Sequence, residues 1–216
     1  MVRPLRRSDA AAWVALRERN AARLLRWEAI PPGVVLPHPL GRTAFFALLK
    51  SLRAEARAGR GVAFGIEYDG VLVGQLTVSA IQRGAALTAT LGYWVDEGVA
   101  GRGITPSAVA MVVDRCFTAL GLHRVEVDVQ PTNDASRRVV QKLGFQREGV
   151  RRRLLHVDGA WRDHELWSLT FEEAAGGVGA RYRRLRDSGQ LETGQLETGQ
   201  LGSGGGDEST KNSDTP

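Results

Sequence analysis

Residues 87–106 read LTATLGYWVDEGVAGRGITP, and this stretch decides the architecture. Leu87, Ala89, Leu91, Tyr93 and Val95 alternate with Thr88, Thr90, Gly92 and Trp94, the period of two that marks a strand. A glycine-rich loop, Gly98-Val99-Ala100-Gly101-Arg102-Gly103, follows. It leads into a segment with Val109, Val112, Val113, Cys116, Phe117 and Leu120 on one helical face. Strand, glycine loop and helix in that order place a helix N-terminus beside backbone that a ligand can approach closely. The free N–H groups and positive dipole end of that helix suit a phosphate or pyrophosphate, and Arg102 adds a cation. A bare Gly-x-Gly also serves simple turns. Two other phosphate motifs are excluded: no Gly-Lys-Ser/Thr is present, and Pro106 stands where a dinucleotide fingerprint needs its third glycine.

Before this unit, Arg3 to Arg7 reads as a short strand, and Ser8-Asp9 as a helix N-cap, whose side chains accept from the first free N–H groups. Trp13, Leu16, Asn20, Leu24 and Trp27 fall three and four apart, which predicts one helix ending before Pro31-Pro32. Phe45, Leu48, Leu49, Leu52 and Ala56 mark a second helix, stopping at Gly59. Val62, Phe64, Ile66 and Tyr68 alternate, and Asp69-Gly70 predicts a hairpin turn into a strand reaching about Val78. After the central helix, Val125, Val127 and Val129 alternate with Glu126 and Asp128. Asn133 to Leu143 reads as a short helix closed by Gly144, and Asp158-Gly159 joins two last strands. The predicted order β-α-α-β-β-β-α-β-α-β-β is that of a single α/β (α+β) domain with a mixed sheet.

A chain of 216 residues, 43% hydrophobic and 25% charged, has the balance of one water-soluble folded domain. One cysteine excludes a disulfide framework, and no Cys/His cluster has zinc spacing, so no metal is expected. No run approaches the roughly 20 apolar residues of a membrane helix, and Met1 to Asp9 has no apolar segment behind it of the kind a signal peptide needs. A cytoplasmic location is expected. The net charge of +5 is carried almost wholly by arginine, Lys50, Lys142 and Lys211 being the lysines. A basic chain attracts anionic ligands. No aromatic RNA-binding strand motif or helix-turn-helix pattern is present, so direct nucleic-acid binding is not expected. Composition changes after Ala175: Gly176, Gly177 and Gly179 precede a repeat of Gly-Gln-Leu-Glu-Thr at 189–193 and 194–198. This divides the chain into a domain at 1–175 and a low-complexity, disordered tail at 176–216. Tyr182-Arg183-Arg184-Leu185-Arg186 is compatible with a short helix but is read with the tail.

Four groups stand in a specific order and spacing. They are Gly92-Tyr93-Trp94-Val95-Asp96-Glu97; Gly101-Arg102-Gly103-Ile104-Thr105; Asn133-Asp134-Ala135-Ser136 with Lys142-Leu143-Gly144-Phe145; and Asp158-Gly159-Ala160-Trp161-Arg162-Asp163-His164. On these, residues 2–172 or so resemble the GNAT acetyltransferase superfamily, and within it the RimJ/RimL-like branch that acetylates protein N-termini. The resemblance implies acetyl-CoA (coenzyme A) as cofactor. It implies that the strand before the loop splays from its neighbour, so that pantetheine pairs with backbone near Val95. Pyrophosphate is then held by the loop amides Gly101, Arg102, Gly103, Ile104 and Thr105. In one place the chain departs from the family: Gly98 stands where many members carry Gln or Arg, three residues before the first glycine.

Asn133 suits an N-cap by residue type, and the resemblance implies that Asn133 and Ser136 meet the cofactor near its thiol. Ser136 is the expected catalytic donor to the departing thiolate, since the short helix has no tyrosine. For the general base, some relatives place a glutamate where this chain has Leu155, and the adjacent His156 faces the other way along a strand. Glu28 matches a region that lines the acceptor pocket in relatives and is the expected base. A protein N-terminus, with a pKa of about 8, needs only modest help. Asp163 and His164 read as structural, Cys116 as a buried thiol, and Arg151-Arg152-Arg153 as a solvated edge strand.

The expected function is transfer of acetyl from acetyl-CoA to a primary amine by direct attack in a ternary complex. The foremost acceptor is the N-terminal α-amino group of a ribosomal-protein-like chain. The alternatives are a small-molecule amine (polyamine, antibiotic or amino acid) as acceptor, or a non-catalytic acetyl-CoA-binding or RNA-associated module. No membrane partner is expected, and a homodimer stays open.

Overall fold

A computed structural model describes residues 1–34 and 41–190. Residues 35–40, and the tail from residue 191 onward, lie outside the described residues. The elements run β1 (Val2–Pro4), α1 (Ala10–Arg19), α2 (Ala21–Leu25), α3 (Arg42–Arg57), β2 (Val62–Tyr68), β3 (Val71–Gln82) and β4 (Thr88–Val95). They continue with α4 (Ile104–Thr118), β5 (Arg124–Val129), α5 (Asp134–Lys142), β6 (Gln146–Val157), β7 (Ala160–Thr170) and α6 (Val178–Asp187). Seven strands form one sheet in the order β1-β2-β3-β4-β5-β7-β6. Every neighbouring pair is antiparallel except β4 and β5, and a parallel pair needs a crossover, which α4 supplies.

The expected α/β single domain with a mixed sheet is what forms. Alternation along each strand divides its side chains between two cores. On one side Leu76, Val78, Leu91, Val125, Val127 and Leu169 pack against Val109, Val112, Val113 and Cys116 of α4 and Val140 of α5. On the other, Leu72 packs with Trp13 and Leu16 of α1 and Phe45 and Leu49 of α3. Both hairpin turns lie where Asp-Gly predicts them, with positive φ at Asp69 (47°) and Gly70 (77°) and at Asp158 (48°) and Gly159 (73°).

Three expectations need correction. The first strand is Val2–Pro4 rather than Arg3–Arg7, because Arg6 N–H is drawn to the Asp9 carboxylate at 2.7 Å and the chain turns there. The first helix breaks at Asn20 instead of running through Trp27. Its side-chain amide donates back to Leu16 O at 2.8 Å and across to Asp96 at 2.8 Å, so a residue read as part of an apolar stripe is a polar hinge. The third correction concerns the domain boundary at 175. Residues 178–187 form α6, which buries Val178 and Tyr182 in the core beside α4. Counting glycines over the whole C-terminal stretch hides the spacing of Val178, Tyr182 and Leu185 on one helical face. The cap is hidden as well, since it comes from α4: the Asp114 carboxylate accepts from Val178 N–H at 2.7 Å and Gly179 N–H at 3.0 Å.

Asp114→Ala removes the acceptor for two N–H groups at the start of α6. It is expected to lower stability by about 1–2 kcal/mol, read from the shift of a urea unfolding midpoint. An unshifted midpoint would show that α6 is not anchored through this carboxylate.

Candidate active site

β4 and β5 pair only from Thr88↔Arg124 to Thr90↔Glu126. Beyond Thr90, β4 continues to Val95 beside β3, while β5 continues to Val129 beside β7. The two strands part, so the edge of β4 from Leu91 to Val95 carries backbone groups with no strand beside them among the described residues. Contacts on the β3 side fix this parting. At Gly74 an added Cβ would stand 3.0 Å from Val95 Cα, a close approach that only glycine permits. Asp96 N–H donates to Val73 O at 2.7 Å. The Asp96 carboxylate accepts from Arg19 Nε at 3.1 Å and Asn20 Nδ2 at 2.8 Å. The Arg19 guanidinium, helped by Asn20, holds this carboxyl at about 2, well below the usual range.

A groove of about 460 Å³ opens where the strands part, walled by Trp94 and Val95, the loop from Val99, the start of α4, and α5. That volume lies in the range of small-molecule sites. Gly101 and Gly103 both have left-handed backbone, with φ of 78° and 74°, which turns the chain into α4. The first bond of the helix is Ser107 N–H to Gly103 O at 3.2 Å, and Pro106 has no N–H to satisfy. The N–H groups of Gly101, Arg102, Gly103, Ile104 and Thr105 therefore have no acceptor among the described residues.

On the far wall, Asn133 caps α5 by accepting from Ser136 N–H at 3.1 Å. The Ser136 Oγ lies 2.9 Å from the Tyr93 hydroxyl. Burial pushes the Tyr93 phenol well above its ordinary value, so it stays protonated. Arg138 and Lys142, four residues apart on α5, place two cations on the groove. The Val95 carbonyl accepts from the Arg23 guanidinium of α2. Behind the loop, the Tyr182 hydroxyl of α6 would meet a Cβ at Gly103 at 3.1 Å.

Val95, Gly101, Gly103, Ile104, Thr105, Asn133 and Ser136 all line this one groove. Two residues of the sequence reading do not. Arg102 is exposed and off the lining, while Glu28 lies beyond its neighbour Trp27, with Oε2 paired to Arg17. Arg23, Tyr93, Arg138 and Lys142 line the groove without having been named for it. The i, i+4 spacing of Arg138 and Lys142 was a usable signal. The contacts of Arg23 and Tyr93 are tertiary and leave none. Among residues weighed as bases, His156 Nδ1 is 2.9 Å from Ile30 O. Cys116 is buried, its thiol pushed up to about 12 by desolvation.

The sequence profile of the family described as Acetyltransferase (GNAT) domain matches residues 1–146. The chain belongs to the GNAT acetyltransferase family. It is 42% identical over 108 residues to the Bacillus subtilis (strain 168) protein named "Probable N-acetyltransferase YjcK", covering 49% of this chain and 60% of that one. It is 30% identical over 99 residues to the ribosomal protein uS5-alanine N-acetyltransferase of Escherichia coli (strain K12), covering 46% and 51%. The matched stretch thus spans 51–60% of the length of these two curated relatives. Among solved structures, Mycobacterium smegmatis RimJ in complex with CoA-disulfide superposes with a TM-score of 0.81 at 43% identity, over 87% of this chain and 88% of that one. The ribosomal-protein-S5-alanine acetyltransferase of Vibrio fischeri gives 0.70 at 28% identity, over 78% and 91%.

The groove of this GNAT domain fits coenzyme A on its own chemistry. Five free amides at a helix N-terminus suit a pyrophosphate, two cations on α5 suit its charge, and an open strand edge suits the amides of pantetheine. Gly103→Val should abolish that fit. A β-branched residue at positive φ costs about 1–2 kcal/mol and crowds the Tyr182 hydroxyl. Losing two or three charge-assisted bonds should weaken acetyl-CoA binding on the order of 100-fold or more. Calorimetry on the variant, with its melting curve confirming a folded chain, checks this; binding of wild-type strength would reduce both glycines to turn residues.

Proposed function

We propose that the chain transfers acetyl from acetyl-CoA to a primary amine, the N-terminal α-amino group of a ribosomal-protein-like acceptor, by direct attack in a ternary complex. The observation that carries this reading is the continuity of one groove, from five unpartnered N–H groups at α4, along an open β4 edge, to the Ser136 hydroxyl. Acetyl-CoA, when bound, supplies an acetyl group activated as a thioester.

In this reading the amides from Gly101 to Thr105 hold the pyrophosphate, with Arg138 and Lys142 offsetting its charge. The backbone near Val95 orients the pantetheine, the Val95 carbonyl having a second lone pair beside the one Arg23 takes. A free N–H on the β4 edge polarises the thioester carbonyl from a fixed position, which costs no reorganisation as charge develops there. Ser136, placed by the Asn133 cap, hydrogen-bonds the departing sulfur. Glu28 acts on the amine's proton through water, since Arg17 engages its Oε2 and leaves Oε1 without a partner among the described residues. The acceptor has room beside the groove: a second cleft of about 320 Å³, with Arg26, Arg162, Asp158 and Asp163 on its walls, shares Trp27 and Thr132 with it. Charges of both signs around that cleft suit a peptide better than a uniformly cationic polyamine. The E. coli relative is named for the alanine of a ribosomal protein, which agrees in substrate class.

Mass spectrometry of peptides with free and with blocked N-termini, incubated with acetyl-CoA alongside spermidine and free amino acids, tests the reading. Acetyl should appear on the free α-amine of alanine- and serine-initiated peptides. Ser136→Ala should lower kcat roughly 10- to 100-fold with acetyl-CoA affinity retained. Acetylation confined to the small amines would overturn the acceptor, and none on any amine would overturn the activity.

A further inference from the structure

This inference rests on the role of Ser136 just proposed. A serine or threonine hydroxyl on a helix can donate its proton to the carbonyl four residues back. Ser107 of α4 does so, donating to Gly103 O at 2.8 Å, and Thr118 donates to Asp114 O at 2.7 Å. Ser136 does not. Among the described residues its one side-chain partner is the Tyr93 hydroxyl at 2.9 Å. Among the described residues Tyr93 has no acceptor besides Ser136, whose Oγ is 2.9 Å away and whose carbonyl is more distant at 3.4 Å. Either oxygen can donate across the 2.9 Å contact; a phenol is a stronger donor than an aliphatic hydroxyl, which favours donation from Tyr93 to Ser136. The ring of Tyr93 packs against the core beneath α4 and sits opposite Leu76 in the sheet. The donor is thus held by packing, not by solvent.

We propose that Tyr93 is the positioning residue for Ser136: its O–H fills a lone pair of the serine Oγ and turns the serine proton out into the groove, toward the departing sulfur. The amine nitrogen bonds the acetyl carbon, and the carbon–sulfur bond breaks with its electron pair on sulfur. The amine's surplus proton passes through water to Glu28. Ser136 keeps its proton throughout and hydrogen-bonds the thiolate, which at a free-thiol pKa of about 8.5 is a tolerable leaving group. In this proposal Tyr93 acts on the reaction through Ser136.

The test is a double-mutant cycle on the full chain, with acetyl-CoA and the best amine of the panel above, reading kcat, KM and the acetyl-CoA dissociation constant separately. Tyr93→Phe keeps the packed ring. It should lower kcat roughly 5- to 20-fold while leaving acetyl-CoA affinity within about two-fold. Tyr93→Phe with Ser136→Ala should be no slower than Ser136→Ala alone. Full additivity of the two losses, or a Tyr93→Phe variant at wild-type kcat beside a slow Ser136→Ala, overturns the proposal and leaves the acetyltransfer reading intact. Wild-type speed in Ser136→Ala overturns the proposal together with the role of Ser136 on which it rests, and leaves acetyl transfer itself standing. Fluorotyrosine at position 93 preserves shape and hydroxyl, and so covers a Tyr93→Phe chain that does not fold. A more acidic phenol is a better donor, so kcat should change along a series of fluorinated rings; a flat series overturns the proposal.

Discussion

The parting of β4 from β5 is the constraint on which the rest of the molecule depends. A parallel pair left to itself would continue its ladder, because each unpaired backbone group at a buried edge is costly. Here the end of β4 is held away from β5. Gly74 lets β3 close up against it, Val73 takes the Asp96 N–H, and Arg19 and Asn20 grip the Asp96 carboxylate from α1. Meanwhile β5 stays with β7 along its whole length, from Arg124↔Thr170 to Val129↔Glu165. A polar clamp on one strand and an intact ladder on the other create a gap with backbone on its rim. The loop from Val99 and the start of α4 close one end of that gap, and α5 forms its far wall.

The two-sided core makes the gap stiff. Leu91 and Val95 of β4 sit in the core under α4, while Trp94 packs toward α1 and α3. The side chains that would have to move for the strands to rejoin are thus committed to packing on both faces. α6 extends the same logic to the loop. Asp114 of α4 caps it, Arg181 donates to Leu143 O at the end of α5, and Tyr182 lies behind Gly103. Partial burial weakens the hold of Arg181 on its proton and raises the Tyr182 phenol, as expected for groups drawn off solvent to serve packing. Both helices that frame the groove are therefore tied to a segment whose composition looks like a tail.

Much of this was legible in the sequence, and the reasons differ by residue. Alternation from Leu87 to Val95 and the stripe from Val109 to Leu120 report burial, a property each residue carries locally, so strand and helix were readable. Gly101 and Gly103 were readable because positive φ has few other solutions. Asn133 was readable as a cap by residue type, whereas Ser136 entered through the family resemblance. Asn20 was misread because one polar residue in an apolar stripe looks tolerable until its partner, Asp96, is known to be 2.8 Å away. The cap of α6 is 64 residues distant in sequence, and the Tyr93–Ser136 contact 43. Arg102 shows the limit of position in sequence: a cation within the loop is absent from the groove's lining, on which Arg138 and Lys142 stand from another helix.

The central claim is that the amides at the start of α4 and the free edge of β4 together receive the coenzyme. Hydrogen–deuterium exchange of the full chain, resolved to single amides, with and without coenzyme A, addresses it most directly. Amides without a partner exchange fast, and one bound to a phosphate oxygen or a pantetheine carbonyl slows. The account predicts that saturating coenzyme A slows exchange at Gly101, Arg102, Gly103, Ile104 and Thr105 and along Leu91–Val95, while β6 and α3 are unchanged. Protection that appears elsewhere and leaves these amides as fast as in the free chain would contradict it.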